Sequence, residues 1–246
     1  PKKMNKKILY YSIVVAVSGF LFGFDTVVIS GANLPIKELW QTSDFFHGLF
    51  IMSMALWGTV IGALFGGIPC DKYGRKVTLI WIGILYLVSA LGSALATDPY
   101  MFSIFRFIGG LGVGASSIAA PMYTSEIATP KDRGKLVALY QFFLVFGILV
   151  AFISNFLLKG VGGANDWRWM LGVEAIPAAI YTILIFGVPK SPRWMLLHKG
   201  DEQEAFRILR LSASEEEARR MLEEIKEDRA DTSKGADNIF SKKYST

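Results

Sequence analysis

The sequence predicts an all-α membrane protein: a bundle of six transmembrane helices followed by short cytoplasmic amphipathic helices. Three observations predict it. The 246 residues are 52% hydrophobic with a mean hydropathy of +0.39, which is more apolar surface than a soluble domain of this size needs. That surface is gathered into six blocks, roughly 8–30, 46–69, 77–96, 101–125, 136–158 and 168–188. Each is near the length of about 20 residues that crosses roughly 30 Å of hydrocarbon. The third observation is that the connecting loops alternate in charge.

Lys2, Lys3, Lys6 and Lys7 precede the first block, and GIPCDKYGRK (67–76) follows the second with Asp71, Lys72, Arg75 and Lys76. Lys131, Asp132, Arg133 and Lys135 follow the fourth block, and Lys190 and Arg193 the sixth. The intervening loops are poorer in cations: Lys37 with Glu38 and Asp44, then Asp98, then Lys159 with Asp166. An excess of Lys and Arg marks the cytoplasmic side. Both termini are therefore expected inside, with residues 1–190 forming the bundle and 191–246 a cytoplasmic region.

The first block is too long for a signal-peptide core and lacks a small-residue cleavage site, so cleavage is not expected. Gly58, Gly62 and Gly66 in block two, and Gly110 and Gly114 in block four, recur every four residues. That spacing lets helix backbones approach closely in lipid and reads as packing. In the tail, Ala205, Phe206 and Leu209 share one side of a short helix. Ser214 before Glu215, Glu216 and Glu217 is a helix start, and Ala218, Met221, Leu222 and Ile225 continue it as an apolar stripe. From 199 to 231 there are eleven acids and seven bases, so the overall +5 comes from the rest of the chain. Those cations set topology and do not call for nucleic acid.

Several chemistries are excluded by residue type. The single Cys70 makes no intramolecular disulfide and no metal site by itself. Ser116 and Ser117 sit in a glycine-rich helix, but a serine nucleophile needs a base. The two histidines, His47 and His198, are predicted near opposite ends of the membrane. No phosphate-binding loop of the G-x-x-x-x-G-K-[ST] type occurs. Neither an enzyme nor a cofactor is expected.

Charges inside the apolar blocks carry the functional signal. Asp25, Arg106 and Glu174 each cost about 2.5–3.5 kcal/mol at mid-helix on insertion scales. Counting along the helices places Asp25 about 25 Å from the cytoplasmic edge and the other two about 8 Å below the outer edge. The three thus fall at one level on three helices. There an acid, a base and a second acid can satisfy one another, and movement of Arg106 would change how Asp25 holds a proton. Gln141 lies in an apolar stretch of block five; a buried amide wants either a neighbouring helix or a hydroxylated ligand. Phe22 and Phe24 lie beside Asp25 and can stack on a sugar ring or pack.

At this point the motifs resemble the sugar porter family of the major facilitator superfamily, of the bacterial proton–sugar symporter or glucose facilitator type. The residues that carry the resemblance are SGFLFGFDTVVISG (18–31), GGIPCDKYGRK (66–76), RFIGGLGVGASSIAAPMYTSEIATPKDRG (106–134), DWRWM (166–170) and VPKSPRW (188–194). The resemblance implies alternating access, two six-helix halves rocking about a monosaccharide site near the midplane. It assigns proton coupling to Asp25, with Arg106 and Glu174 as partners. Sugar contact falls to Gln141 and Phe22, with Ile148 standing where some symporters carry a second glutamine. Asp71, Arg75, Glu126, Arg133 and Arg193 match a cytoplasmic salt-bridge network that closes the inner gate. Lys190 replaces the usual glutamate of the motif after helix six, so one bridge of that network is expected to be lost or reversed.

The family has twelve helices and this chain has six predicted, so it resembles the N-terminal half. The resemblance places 238–246 on the approach to a seventh helix. The partners implied are a monosaccharide, a proton, the lipid bilayer of a plasma membrane (a bacterial inner membrane), and either the other half or a second copy. A facilitative uniporter, or a non-transporting sensor or partner subunit on the same scaffold, are the alternatives.

Overall fold

A computed structural model describes residues 5–235, so Lys2, Lys3 and the segment 238–246 lie outside the described residues. Six helices are long and apolar enough to cross a membrane: α1 (Lys6–Trp40), α2 (Asp44–Phe65), α3 (Arg75–Leu95), α4 (Pro99–Ile127), α5 (Pro130–Leu158) and α6 (Gly163–Ile185). They leave a basic end, with the loops after α2, α4 and α6, and an opposite end with the loops after α1, α3 and α5.

Helix α1 begins at Asn5, whose side chain accepts the Lys7 N–H, as an N-cap should. It runs to Trp40, well beyond the predicted end at 30. Ala32 and Ile36 explain the extension, because both are buried in a cluster with Ile51, Phe102 and Trp167. The chain stops at Gln41, whose φ of 46° puts it in the left-handed region. Lys37 and Glu38, expected in a loop, are therefore helical, and Lys37 ion-pairs with Asp44 at the start of α2.

The 67–76 stretch is likewise more ordered than a charged turn. Gly67–Tyr73 forms a helix that ends at Gly74 with φ of 93°. A Cβ at Gly74 would meet the Trp194 indole at 3.0 Å, so both backbone and space call for glycine. Asp98 starts α4 by accepting the Tyr100 and Met101 N–H groups, with Pro99 in the first turn. Helix α6 is interrupted: Asp166–Gly172 and Ala175–Ile185 are regular, and Val173 and Glu174 form the turn between them.

Packing pairs α1 with α5, α2 with α4, and α3 with both α4 and α6. At the α2–α4 crossing a Cβ on Gly110 would fall 2.0 Å from the Ala55 carbonyl oxygen. The glycine repeat is thus a packing seam between α2 and α4. Leu64, Phe142, Phe156 and Ile183 are exposed, as a bundle solvated by lipid permits.

Beyond the bundle, α7 (Glu202–Leu209) and α8 (Glu215–Gly235) share a small core with Trp194, Met195 and Leu196. Ser214 and Glu217 close a reciprocal capping box, at 3.0 and 3.2 Å. The buried face of α7 is Ala205, Ile208 and Leu209; Phe206 is half-buried beneath the Arg219 guanidinium.

Candidate functional site

Arg106 of α4 reaches Asp25 of α1 twice. Its Nη1 donates to Asp25 Oδ1 at 2.6 Å, and its Nη2 donates to the Asp25 backbone carbonyl at 2.9 Å. Asp25 and Arg106 are 1% and 2% exposed, so the pair is fully withdrawn from solvent. Gly109, one turn along α4, makes room: a Cβ there would lie 2.3 Å from Ser89 Oγ and 3.5 Å from Asp25 Oδ1. Glu174, at the interruption of α6, is also buried and lies within electrostatic reach of both partners.

Four atoms of this cluster lack a hydrogen-bond partner among the described residues: Asp25 Oδ2, Arg106 Nε, Glu174 Oε1 and Ser89 Oγ. Orphaned buried polar atoms are rare because each forfeits its hydration. Arg106 is ion-paired with Asp25, and the Glu174 carboxyl lies within electrostatic reach of both. A proton on one carboxyl leaves the cluster neutral, and two ionised carboxylates would leave it a net charge in a low dielectric. The arrangement can therefore hold and release a proton at a carboxyl oxygen.

A second cluster sits at the basic end. Arg75 bridges Glu126 at 2.9 Å and Asp71 at 3.1 Å, and donates to the Cys70 carbonyl at 2.9 Å. Ser191 donates to the other Glu126 oxygen, and Trp194 Nε1 donates to the Asp71 carbonyl at 2.8 Å. These bonds tie the end of α4, the Gly67–Tyr73 helix and the segment after α6 together. Cys70 is buried beneath them, and that burial pushes its thiol up.

The other expected gate residues are arranged differently. Arg133 donates to the Ser125 backbone carbonyl at 3.1 Å, and Arg193 pairs with Asp228 of α8 at 3.0 Å. Both line a cavity shared with Arg75 and Glu126, with no direct ion pair to Glu126. Lys190 is exposed.

Gln141 is exposed on α5, so apolar neighbours in sequence did not mean burial. Phe22 and Ile148 are half-buried. Phe24 is 2% exposed in the core, so it packs and is not free to stack on a ligand.

Four polar contacts had no clear sequence signal. Ser116 Oγ and the Tyr140 hydroxyl hydrogen-bond at 3.0 Å, joining α4 to α5. Asn155 donates to the Val28 carbonyl at 3.2 Å, joining α5 to α1. His47 bonds Asn33 at 2.7 Å and Thr42 at 3.0 Å, linking α1 to α2 at the opposite end. Each pair is distant or oddly spaced in sequence and looks like an ordinary polar residue until the helices are placed.

Comparison with known proteins gives one answer. A family model described as "Sugar (and other) transporter" matches residues 11–245. A glucose transport protein of Synechocystis is 39% identical over 214 residues, covering 83% of this chain and 45% of that protein. An arabinose-proton symporter of Escherichia coli K12 is 40% identical over 227 residues, covering 92% and 46%. Among solved structures, a proton:xylose symporter bound to 6-bromo-6-deoxy-D-glucose has a TM-score of 0.84 at 32% identity, over 89% of this chain and 52% of that one. A partially occluded inward-open form of the E. coli xylose transporter has a TM-score of 0.86 at 33% identity, over 94% and 61%. The chain spans about half the length of the curated relatives it matches. With its fold, its six apolar helices and these matches, the chain is an integral membrane protein that belongs to the sugar transporter family.

Proposed function

We propose that this chain forms the N-terminal half of a monosaccharide transporter working by alternating access, and that transport is coupled to protons. The observation that carries the reading is the buried Asp25–Arg106 pair with Glu174 beside it. Asp25 takes up the proton; Arg106 holds the carboxylate when the proton leaves; Glu174 sets how strongly Arg106 is shared between them. Gln141, with its exposed amide, Phe22 and Ile148 face the sugar, whose other ligands come from a second six-helix half or a second copy. The Arg75–Glu126–Asp71 clasp, with Arg133 and Arg193 around the adjoining cavity, closes the cytoplasmic side. The excess of Lys and Arg at the basic end supports a cytoplasmic side for both termini, and the bacterial relatives suit an inner membrane.

Facilitative uniport is the second reading, and Ile148 favours it, since the resemblance puts a second glutamine there in some symporters. One experiment separates the two. The chain, with its C-terminal half where that is needed, is reconstituted into liposomes, and uptake of labelled glucose and xylose is measured with and without an inward proton gradient. Symport predicts gradient-driven accumulation in the wild type, and loss of accumulation with exchange retained in Asp25→Asn. Uptake that never exceeds equilibrium, with Asp25→Asn unchanged, supports uniport. A folded chain that moves no sugar under either condition overturns both.

A further inference from the structure

A groove of about 550 Å³ opens where α3, α5 and α6 meet at the opposite end of the bundle. Its floor is apolar, formed by Leu91 and Leu95 of α3 and Val173 and Ile176 of α6. Leu91, Leu95 and Ile176 are 45%, 68% and 62% exposed. At the rim stand Asn165, Arg168 and Trp169.

Among the described residues Arg168 is the one charged residue lining this groove. Its Nη1 donates to the Ala94 carbonyl at 2.7 Å, its Nε lies 3.4 Å from Asn165 Oδ1, and its guanidinium lies over the Trp167 ring at 4.3 Å. Among the described residues no carboxylate pairs with this cation. An aromatic–cationic rim above an apolar floor, at a helix end, matches the headgroup–acyl boundary of a bilayer.

We propose that this groove is a binding site for a phospholipid with an anionic headgroup, the acyl chain lying along Leu91, Leu95, Val173 and Ile176 and the phosphate at Arg168. Charge complementarity selects this occupant over a helix from another protein chain, which would bury the Arg168 cation against apolar side chains at a high cost. The site is distinct from Gln141, Phe22 and Ile148, which lie on α1 and α5. Val173 gives it a reach beyond local packing, because the next residue, Glu174, belongs to the buried charge cluster. An acyl chain against Val173 supports the interrupted turn of α6 from the lipid side.

Native mass spectrometry of the chain purified in mild detergent, titrated with phosphatidylglycerol and phosphatidylcholine of equal acyl length, tests this. One cation near a membrane surface is worth about 1 kcal/mol toward anionic lipid, close to a fivefold preference. The wild type is expected to bind phosphatidylglycerol about fivefold more tightly than phosphatidylcholine. Arg168→Gln should remove the preference, Arg168→Lys should restore most of it, and Leu91→Trp, which fills the floor, should weaken binding of both lipids. Equal affinity for the two lipids in the wild type, or a preference unchanged in Arg168→Gln, overturns the proposal. Should the variants fail to fold, the wild type still decides. A diazirine-bearing phosphatidylglycerol must label the 165–176 peptide in a way that unlabelled phosphatidylglycerol, and not phosphatidylcholine, competes away. Absence of that competition also overturns it, and so does protection of the groove by a second copy of the chain.

Discussion

Replacing Arg106 by Leu tests whether the buried pair holds the bundle together. The substitution replaces the guanidinium by a shorter, apolar side chain and strands Asp25, which is 1% exposed and loses the 2.6 Å hydrogen bond to its carboxyl and the 2.9 Å one to its backbone carbonyl. Removing one partner of a buried ion pair costs about 3–5 kcal/mol, because the other charge stays desolvated. For a chain of this length that corresponds to a drop of about 10 °C in Tm, at roughly 2–4 °C per kcal/mol. The protein carries its own reporter: Cys70 is the single cysteine and is 0% exposed. A thiol-activated fluorophore in a temperature ramp therefore reads unfolding without an engineered cysteine. The double variant Asp25→Leu with Arg106→Leu should recover much of the loss, since replacing both partners by apolar groups is often nearly neutral. A single variant melting within about 2 °C of the wild type would refute the reasoning, and so would a double variant no more stable than the single.

Two further outcomes are expected. Gly110→Val should break the α2–α4 seam, since its Cβ would sit 2.0 Å from the Ala55 carbonyl oxygen, whereas Gly67→Ala meets nothing within 4 Å; size-exclusion chromatography should show aggregation for the first and a native profile for the second. Cys70 should give the basic end a pH-dependent stability. Burial raises its thiol, so the folded state binds the proton more tightly than the unfolded one, and the contribution is whole below about pH 8.5 and lost as pH rises above it. Cys70→Ala should flatten that alkaline decline in a pH series of melting curves, and an identical decline in the variant would show that another group causes it.

The sequence carried the six spans, their alternation of basic loops and the identity of the three intramembrane charges, because each rests on a one-dimensional signal: length, composition or an isolated costly residue. Asp25 and Arg106 could be matched by depth alone, since 1.5 Å per residue converts position into height. What hydropathy does not encode is rotation about the helix axis. Gln141 and Phe24 both lie in apolar surroundings in sequence, yet one is exposed and the other sits in the core. Helix ends were missed for a related reason. The α1 extension to Trp40 depends on Ile36 meeting Ile51, Phe102 and Trp167, a contact between distant segments. At the basic end, Arg75, Glu126 and Asp71 come together, but Arg133 and Arg193 find a backbone carbonyl and Asp228 instead. Resemblance named the cluster; the exact pairing depended on where α8 lies.

The pairing of α1 with α5 and α2 with α4 dictates an order of events at synthesis. Neither α1 nor α2 meets its main partner when it enters the membrane. Asp25 goes in alone, and its partner Arg106 lies 81 residues further along the chain. At 5–20 residues per second the wait is on the order of ten seconds. During that interval the carboxyl has only lipid, water defects or the insertion machinery to satisfy it, at a cost of about 2.5–3.5 kcal/mol. Arrival of α4 ends that exposure, so formation of the Asp25–Arg106 pair also registers when the fourth helix has inserted.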